Sequence, residues 1–195
     1  MDGWGGERQI GEDLSLIDER HKQRYNFARD YCNNKNVLDI ACGCGYGSYI
    51  LSEQASKVTG LDCSEEAIDY ANKYYSSQNS SFHQFNLLED DCKHLLNKFD
   101  IVVSFETIEH LDLEVFSTCR KLLSFLKTDG LLICSHPHMQ QPKQAGFHKQ
   151  FNINGEDLKA KIIEDGNEII KSDYLPNKKP GAYKNHIFIT KNKGT

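Results

Sequence analysis

The chain has 195 residues, 38% of them hydrophobic and 26% charged, enough for one well-filled globular domain. Its net charge of −5 and pI near 5.9 argue against nucleic acid as the main partner. No apolar run approaches the roughly 20 residues of a membrane helix, and "MDGWGGERQIGED" lacks the apolar stretch of a secretory signal, so a cytoplasmic protein without membrane contact is expected.

In chain order, the spacing predicts a helix over about Leu14–Tyr31, making residues 1–35 an N-terminal helical cap. Val37–Ala41 reads as the first strand, followed by a helix from Tyr46 to Ala55. Lys57–Asp62 is the second strand, and Ser64 caps the next helix with Glu65 and Glu66 in its first turn. Ser81–Asn86 and Asp100–Phe105 are the third and fourth strands, and a helix over Leu113–Leu126 is expected to end at Gly130 as its C′ residue. "LLICS" is the fifth strand, Gly155–Glu164 a helix, and "NEIIKSDYL" and "AYKNHIFITKN" a closing pair of strands. Strands alternating with helices imply an α/β, doubly wound, mostly parallel seven-stranded sheet. The final pair adds an antiparallel edge hairpin. No linker or repeat interrupts this pattern, so residues 1–195 read as a single domain.

Seven cysteines are an odd count, and Cys32, Cys119 and Cys134 lie inside apolar segments. Buried thiols in a reducing compartment explain this better than a disulfide framework. Cys42 and Cys44 form a CxC, Cys63 and Cys92 stand singly, and the absence of any CxxC argues against structural zinc.

The segment "VLDIACGCGYGS" joins the first strand to the first sheet helix. Gly43, Gly45 and Gly47 let backbone N–H groups approach a ligand, and Asp62, about 20 residues on, can accept the hydroxyls of a ribose. The spacing is G-x-G-x-G rather than the dinucleotide G-x-G-x-x-G, and Asp39 inside the strand would repel a pyrophosphate. A carboxylate there suits an ammonium group, so an adenosine joined to an amino acid fits best.

At this point the segment resembles motif I of the class I S-adenosylmethionine-dependent methyltransferases. "GER" at Gly6–Arg8, "HKQRYNFA" at His21–Ala28 and "VVSFETIEHL" at Val102–Leu111 are similar to small members of that family, many associated with surface-glycan and other small-molecule pathways. The resemblance implies the Rossmann-like methyltransferase fold, with Asp39, Ala41, Gly43, Cys44 and Gly45 around the methionine part of S-adenosyl-L-methionine. Asp62 would take the ribose, Cys63 the adenine slot, and Asn86 and Leu87 the adenine edge. Phe105 would sit beside the sulfonium, and Arg24 and Tyr25 would close over the cofactor carboxylate.

For transfer to oxygen the acceptor must lose a proton, and "SFETIEHL" places Glu106, Glu109 and His110 just after the fourth strand. These three stand at i, i+3 and i+4, a spacing that puts them on one side of a helical turn. The E-x-x-E-H pattern resembles the small-RNA 2′-O-methyltransferases, which implies a divalent metal ion on Glu106, Glu109, His110 and a later histidine. His148 stands in a comparable place, with His136 and His138 as rivals. The histidine-rich segment 136–153 reads as the acceptor lid, where Lys143 and Lys149 could meet a phosphate. The C-terminal lysines, Lys171, Lys178, Lys179, Lys184, Lys191 and Lys193, read as a solvated face.

The expected function is methyl transfer to a hydroxyl of a sugar, nucleotide-sugar or phosphorylated glycan precursor. Its rivals are a metal-dependent RNA 2′-O-methyltransferase and a non-catalytic cofactor-binding module.

Overall fold

The computed structural model describes residues 9–139, 148–175 and 184–194. The chain divides into two compact units, Met1–Asp90 and Asp91–Thr195.

In the first unit, the helix expected over Leu14–Tyr31 is two pieces. Asp13 accepts from the Ser15 amide and starts a 3-10 turn at Leu14–Leu16, and Ile17 then turns extended. Asp18 restarts the chain as the N-cap of α1 (Glu19–Arg29), accepting from the Arg20 amide at 2.8 Å. The break follows from two competing aspartate caps, a signal that the apolar spacing alone hides. β1 (Asn36–Ile40), β2 (Lys57–Asp62) and β3 (Ser80–Gln84) pair in parallel, with β2 in the middle. Val37, Leu38, Val58 and Leu61 are buried, as expected of strands covered on both faces. α2 (Tyr46–Ser52) follows β1, and α3 (Glu65–Tyr74) follows β2 with Ser64 accepting from Ala67 at its N-cap.

In the second unit, β4 (Phe99–Phe105) pairs in parallel with β5 (Leu126–His138), and α4 (Val115–Leu123) connects them. Gly130 does not close that helix. Ser124 is the C-cap, Gly130 lies within β5, and the left-handed conformation falls on Asp129 at φ 65°. α5 (Gly155–Glu164) is capped by Asn154. β6 (Glu168–Leu175) and β7 (Lys184–Lys191) form the expected antiparallel hairpin, with β7 inserted antiparallel beside β5 and β6 at the edge. The seven strands make a mixed, mostly parallel sheet of the doubly wound type with an antiparallel C-terminal end. β5 also runs three residues into the segment expected to be a lid, so His136 and His138 belong to a strand. Residues 140–147 of that segment, with Lys143, lie outside the described residues, as do Gly6–Arg8, Lys178 and Lys179.

Candidate active site

The first unit gathers the glycine loop and both of its acids. After β1 the chain turns at Ala41 (φ 60°), and the Cys42 amide donates to the Leu61 carbonyl at 3.0 Å, tying the loop to the end of β2. Asp62, 5% exposed, accepts from the Gly43 amide at 2.9 Å and the Ser64 amide at 3.0 Å, one on each carboxylate oxygen. Its acid group is therefore held in rotation by two backbone donors. Gly45, at φ 89°, is the N-cap of α2, and a Cβ there would stand 2.6 Å from that of Ala71. At Gly43 a Cβ would face open space, so the backbone is bare on that side. Cys44 is buried, Cys63 is exposed and Leu87 is buried.

Asp39 is fully buried and bonded by neutral hydroxyls, Ser48 at 2.6 Å and Tyr25 at 3.4 Å. Burial pushes its carboxyl up to about 7, outweighing the two hydroxyl donors. Half-buried Arg24 reaches His21 Nδ1 through Nη2 at 3.2 Å, and its buried Nε has no hydrogen-bond partner among the described residues. His21 is held down to about 4 by burial and by Arg24, so it is neutral and accepts from the guanidinium. Asn86 closes a local turn, its side-chain oxygen accepting from the Leu88 amide at 3.0 Å. These features fit an adenosine carrying an amino-acid group: a bare loop, a clamped ribose-type acid, a buried carboxylate and an unspent guanidinium N–H.

In the second unit, Phe105 ends β4 buried, and Glu106 follows in the left-handed region at φ 49°. Its Oε1 accepts from Ser135 Oγ at 2.6 Å and its Oε2 from Asn185 Nδ2 at 2.9 Å. Ile108–His110 form a 3-10 turn, so the helical i, i+3, i+4 geometry expected of Glu106, Glu109 and His110 does not arise. Instead, the buried Glu109 meets His110 (Oε1 to Nε2, 4.0 Å) and His148, whose ring crosses that of His110 edge-on at 4.5 Å between centroids. The chain after His148 is fastened there, since the amides of Lys149 and Gln150 donate to the Glu109 carbonyl at 2.8 and 2.9 Å. One ligand atom from each of Glu109, His110 and His148 lies within 4.8 Å of the others. Neighbouring ligands of one tetrahedral ion stand about 3.4 Å apart, so the three groups are near one another but would have to close by more than about 1 Å to share a metal.

Glu106 is outside that cluster because its strained backbone turns it to Ser135 and Asn185. The rivals His136 and His138 are also outside it. His136 is buried and bonded to His186 at 2.9 Å, and His138 accepts from the Gly155 amide at 3.2 Å. Lys149 lies 3.9 Å from Asp112, and Lys171, Lys191 and Lys193 pair with Asp173, Asp129 and Glu168. Three polar partners escaped the sequence reading: Ser48, Ser135 and Asn185. Asn185 lies 79 residues from Glu106, and no local pattern marks it.

A glycine loop and two acids at the ends of parallel strands define an enzyme class that binds a nucleoside-containing cofactor on a Rossmann-like sheet. The chain belongs to the methyltransferase domain family, whose model matches residues 32–186. A ubiquinone biosynthesis O-methyltransferase of Haemophilus ducreyi is 31% identical over 124 residues, 57% of this chain and 50% of that protein. A Mycobacterium tuberculosis protein called "Probable S-adenosylmethionine-dependent methyltransferase" is 29% identical over 171 residues, 83% of this chain and 60% of its own. The chain spans about half to three-fifths of the length of these curated relatives. Among solved structures, the N-methyltransferase NodS of Bradyrhizobium japonicum in complex with S-adenosyl-L-homocysteine superposes with a TM-score of 0.73. That match covers 94% of this chain and 93% of NodS at 16% identity, and so shares the fold.

Proposed function

We propose that this protein transfers a methyl group from S-adenosyl-L-methionine to a hydroxyl of a small polar acceptor: a sugar, a nucleotide-sugar or a phosphorylated glycan precursor. The observation that carries the reading is the family match over residues 32–186, a span holding the glycine loop, Asp39, Asp62 and the Glu106–His110 segment. The same span argues for one functional domain. An oxygen acceptor agrees with the O-methyltransferase name of a relative.

In this reading Asp39 and the Ala41–Gly45 loop, with Arg24 and Tyr25, hold the amino-acid part of the cofactor. Asp62 takes the ribose, and Cys63, Asn86 and Leu87 take the adenine. Phe105 faces the sulfonium. When bound, the cofactor supplies an activated methyl group for in-line displacement. The protein's own share is to place the acceptor oxygen on that line and to remove its proton. His110 is the base, and Glu106 orients the hydroxyl. His110→Ala and Glu106→Gln should lower turnover by about 10² to 10⁴ while leaving cofactor affinity unchanged.

A divalent metal at Glu109, His110 and His148 is a second reading, favoured by the three-residue cluster. One carboxylate and two imidazoles suit manganese, iron or zinc, and such an ion would lower the pKa of an alcohol. The link this pattern makes to RNA methylation is weakened by the net charge of −5. A reducing, cytoplasmic setting is favoured by the burial of Cys32, Cys42, Cys44, Cys119 and Cys134. Among the described residues no helix is long and apolar enough to cross a membrane.

The test is a mass-spectrometric screen with S-adenosylmethionine, nucleotide-sugars, sugar phosphates and short RNA, with and without EDTA. A methylated sugar product supports the reading, and its loss with EDTA supports the metal. Methylated RNA alone overturns the acceptor class. Saturable cofactor binding with no product in any pool favours the non-catalytic module.

A further inference from the structure

The carboxylate of Glu106 is held on both oxygens by neutral donors from two strands that come from distant parts of the chain. Ser135, wholly buried on β5, donates its hydroxyl to Oε1, and its own carbonyl accepts from the Glu106 amide at 3.2 Å. Asn185, at the start of β7 and paired with Pro137, donates through Nδ2 to Oε2. Because a carboxylate only accepts, the Asn185 amide must turn its nitrogen to Glu106 and its oxygen away. That oxygen is buried with no hydrogen-bond partner among the described residues. Glu106 itself adopts φ 49°, a region a side chain of its size rarely enters.

Two local costs therefore meet at one side chain, strained backbone and an unsatisfied amide oxygen. Such costs persist where the surroundings over-determine a geometry, and they gather at functional sites. The manner of holding matters as much as the cost. Among the described residues no lysine or arginine pairs with Glu106, so its orientation is fixed by neutral donors.

We infer that Ser135 and Asn185 are positioning residues that aim Glu106 at the methyl acceptor. This rests on the assignment of Glu106 to the acceptor made above. Removing either donor frees the carboxylate to rotate, and a displacement of about 1 Å at such a group costs on the order of a hundredfold in rate.

The experiment compares Ser135→Ala, Ser135→Thr, Asn185→Ala and Glu106→Gln, singly and with each alanine change added to Glu106→Gln. Turnover is read as S-adenosylhomocysteine released in the presence of a fixed pool of nucleotide-sugars and sugar phosphates. Ser135→Ala and Asn185→Ala should lower kcat about tenfold to a hundredfold with the KM for S-adenosylmethionine unchanged, and Ser135→Thr, which keeps the hydroxyl, should restore most of it. In the Glu106→Gln background the same alanine changes should cost nothing further, because their effect passes through that carboxylate. Losses that multiply in the double variants would mean a general structural role and overturn the inference. If Glu106→Gln abolishes turnover while both alanine variants keep it, the inference falls and the assignment of Glu106 stands; if Glu106→Gln keeps full turnover, both fall. Crystal structures of Ser135→Ala and Asn185→Ala give a readout independent of any acceptor. A Glu106 carboxylate unmoved in both would overturn the proposal.

Discussion

The ring of Tyr25 occupies the space that a side chain on Gly47 would need. A Cβ at that position would overlap Cζ, Cε1 and Cε2 of the tyrosine, whose hydroxyl meanwhile donates to the buried Asp39. α1 and α2 thus meet across a residue with no side chain, and the closeness of that contact brings the phenol to the carboxylate. Gly47→Ala should push the ring away and destabilise the fold by about 1–3 kcal/mol, a fall of several degrees in Tm. Thermal melts, with and without S-adenosylmethionine, measure it; an unchanged Tm would show that α1 simply shifts.

Asp39 links stability to pH. Its folded value of about 7 lies above its ordinary value of 3.8, so the folded state holds a proton that the unfolded chain has lost. Its contribution is full below pH 4 and is lost as pH rises through 7, amounting to about 4 kcal/mol. Asp39→Asn should abolish that loss, seen as a flatter urea midpoint between pH 5 and 8. A cationic ammonium beside the carboxylate would favour its ionised form, so cofactor binding near neutral pH should release a proton. Calorimetry in buffers of different ionisation enthalpy would detect this, and a buffer-independent heat would separate Asp39 from the ammonium.

Asp62 orders the loop through Gly43, and in the proposed function it would also accept from the ribose. Asp62→Ala should weaken cofactor binding at least tenfold, and more than a single lost hydrogen bond predicts, because Gly43 is released as well. Isothermal calorimetry decides; equal affinities would remove the acid from the cofactor site.

The buried pair His136 and His186 links stability to pH on the acid side. His136 Nδ1 lies 3.2 Å from the Pro137 carbonyl, which fixes it as a donor. His136 Nε2 then accepts from His186 Nδ1, and His186 Nε2 accepts from Ser172 at 2.8 Å. Burial holds the two imidazoles down to about 3 and about 4, helped at His136 by charge on His186 and at His186 by the nearby Lys159. The folded state therefore carries them neutral. This contribution is full above pH 6.5 and is lost as pH falls toward 3. His186→Gln should reduce the acid-side slope of the urea midpoint by about one proton, and an unaltered slope would rule His186 out.

Local patterns carried most of the fold. β2 and the start of α3 were legible because the apolar run of Lys57–Asp62 ends at Ser64, an ordinary N-cap, and α5 falls where Gly155–Glu164 was expected. Gly130 misled because a glycine after a helical pattern normally takes the left-handed turn, and here Asp129 takes it. The first acids were legible from their strand ends. The groups around Glu106 and Glu109 were not, because they meet only through contacts between segments far apart in the chain. β7 delivers Asn185 to Glu106, and two backbone hydrogen bonds bring His148 to Glu109. The E-x-x-E-H spacing suggested one helical face, and the left-handed Glu106 split that face in two.

The thiols are sorted by reach. Cys42, Cys119 and Cys134 are buried, and their thiols are pushed upward, which suppresses the reactive thiolate. Cys63 is exposed and follows directly on Asp62. A maleimide or fluorophore should therefore mark this position first, giving an optical reporter of any ligand that arrives beside Asp62 without any engineered residue.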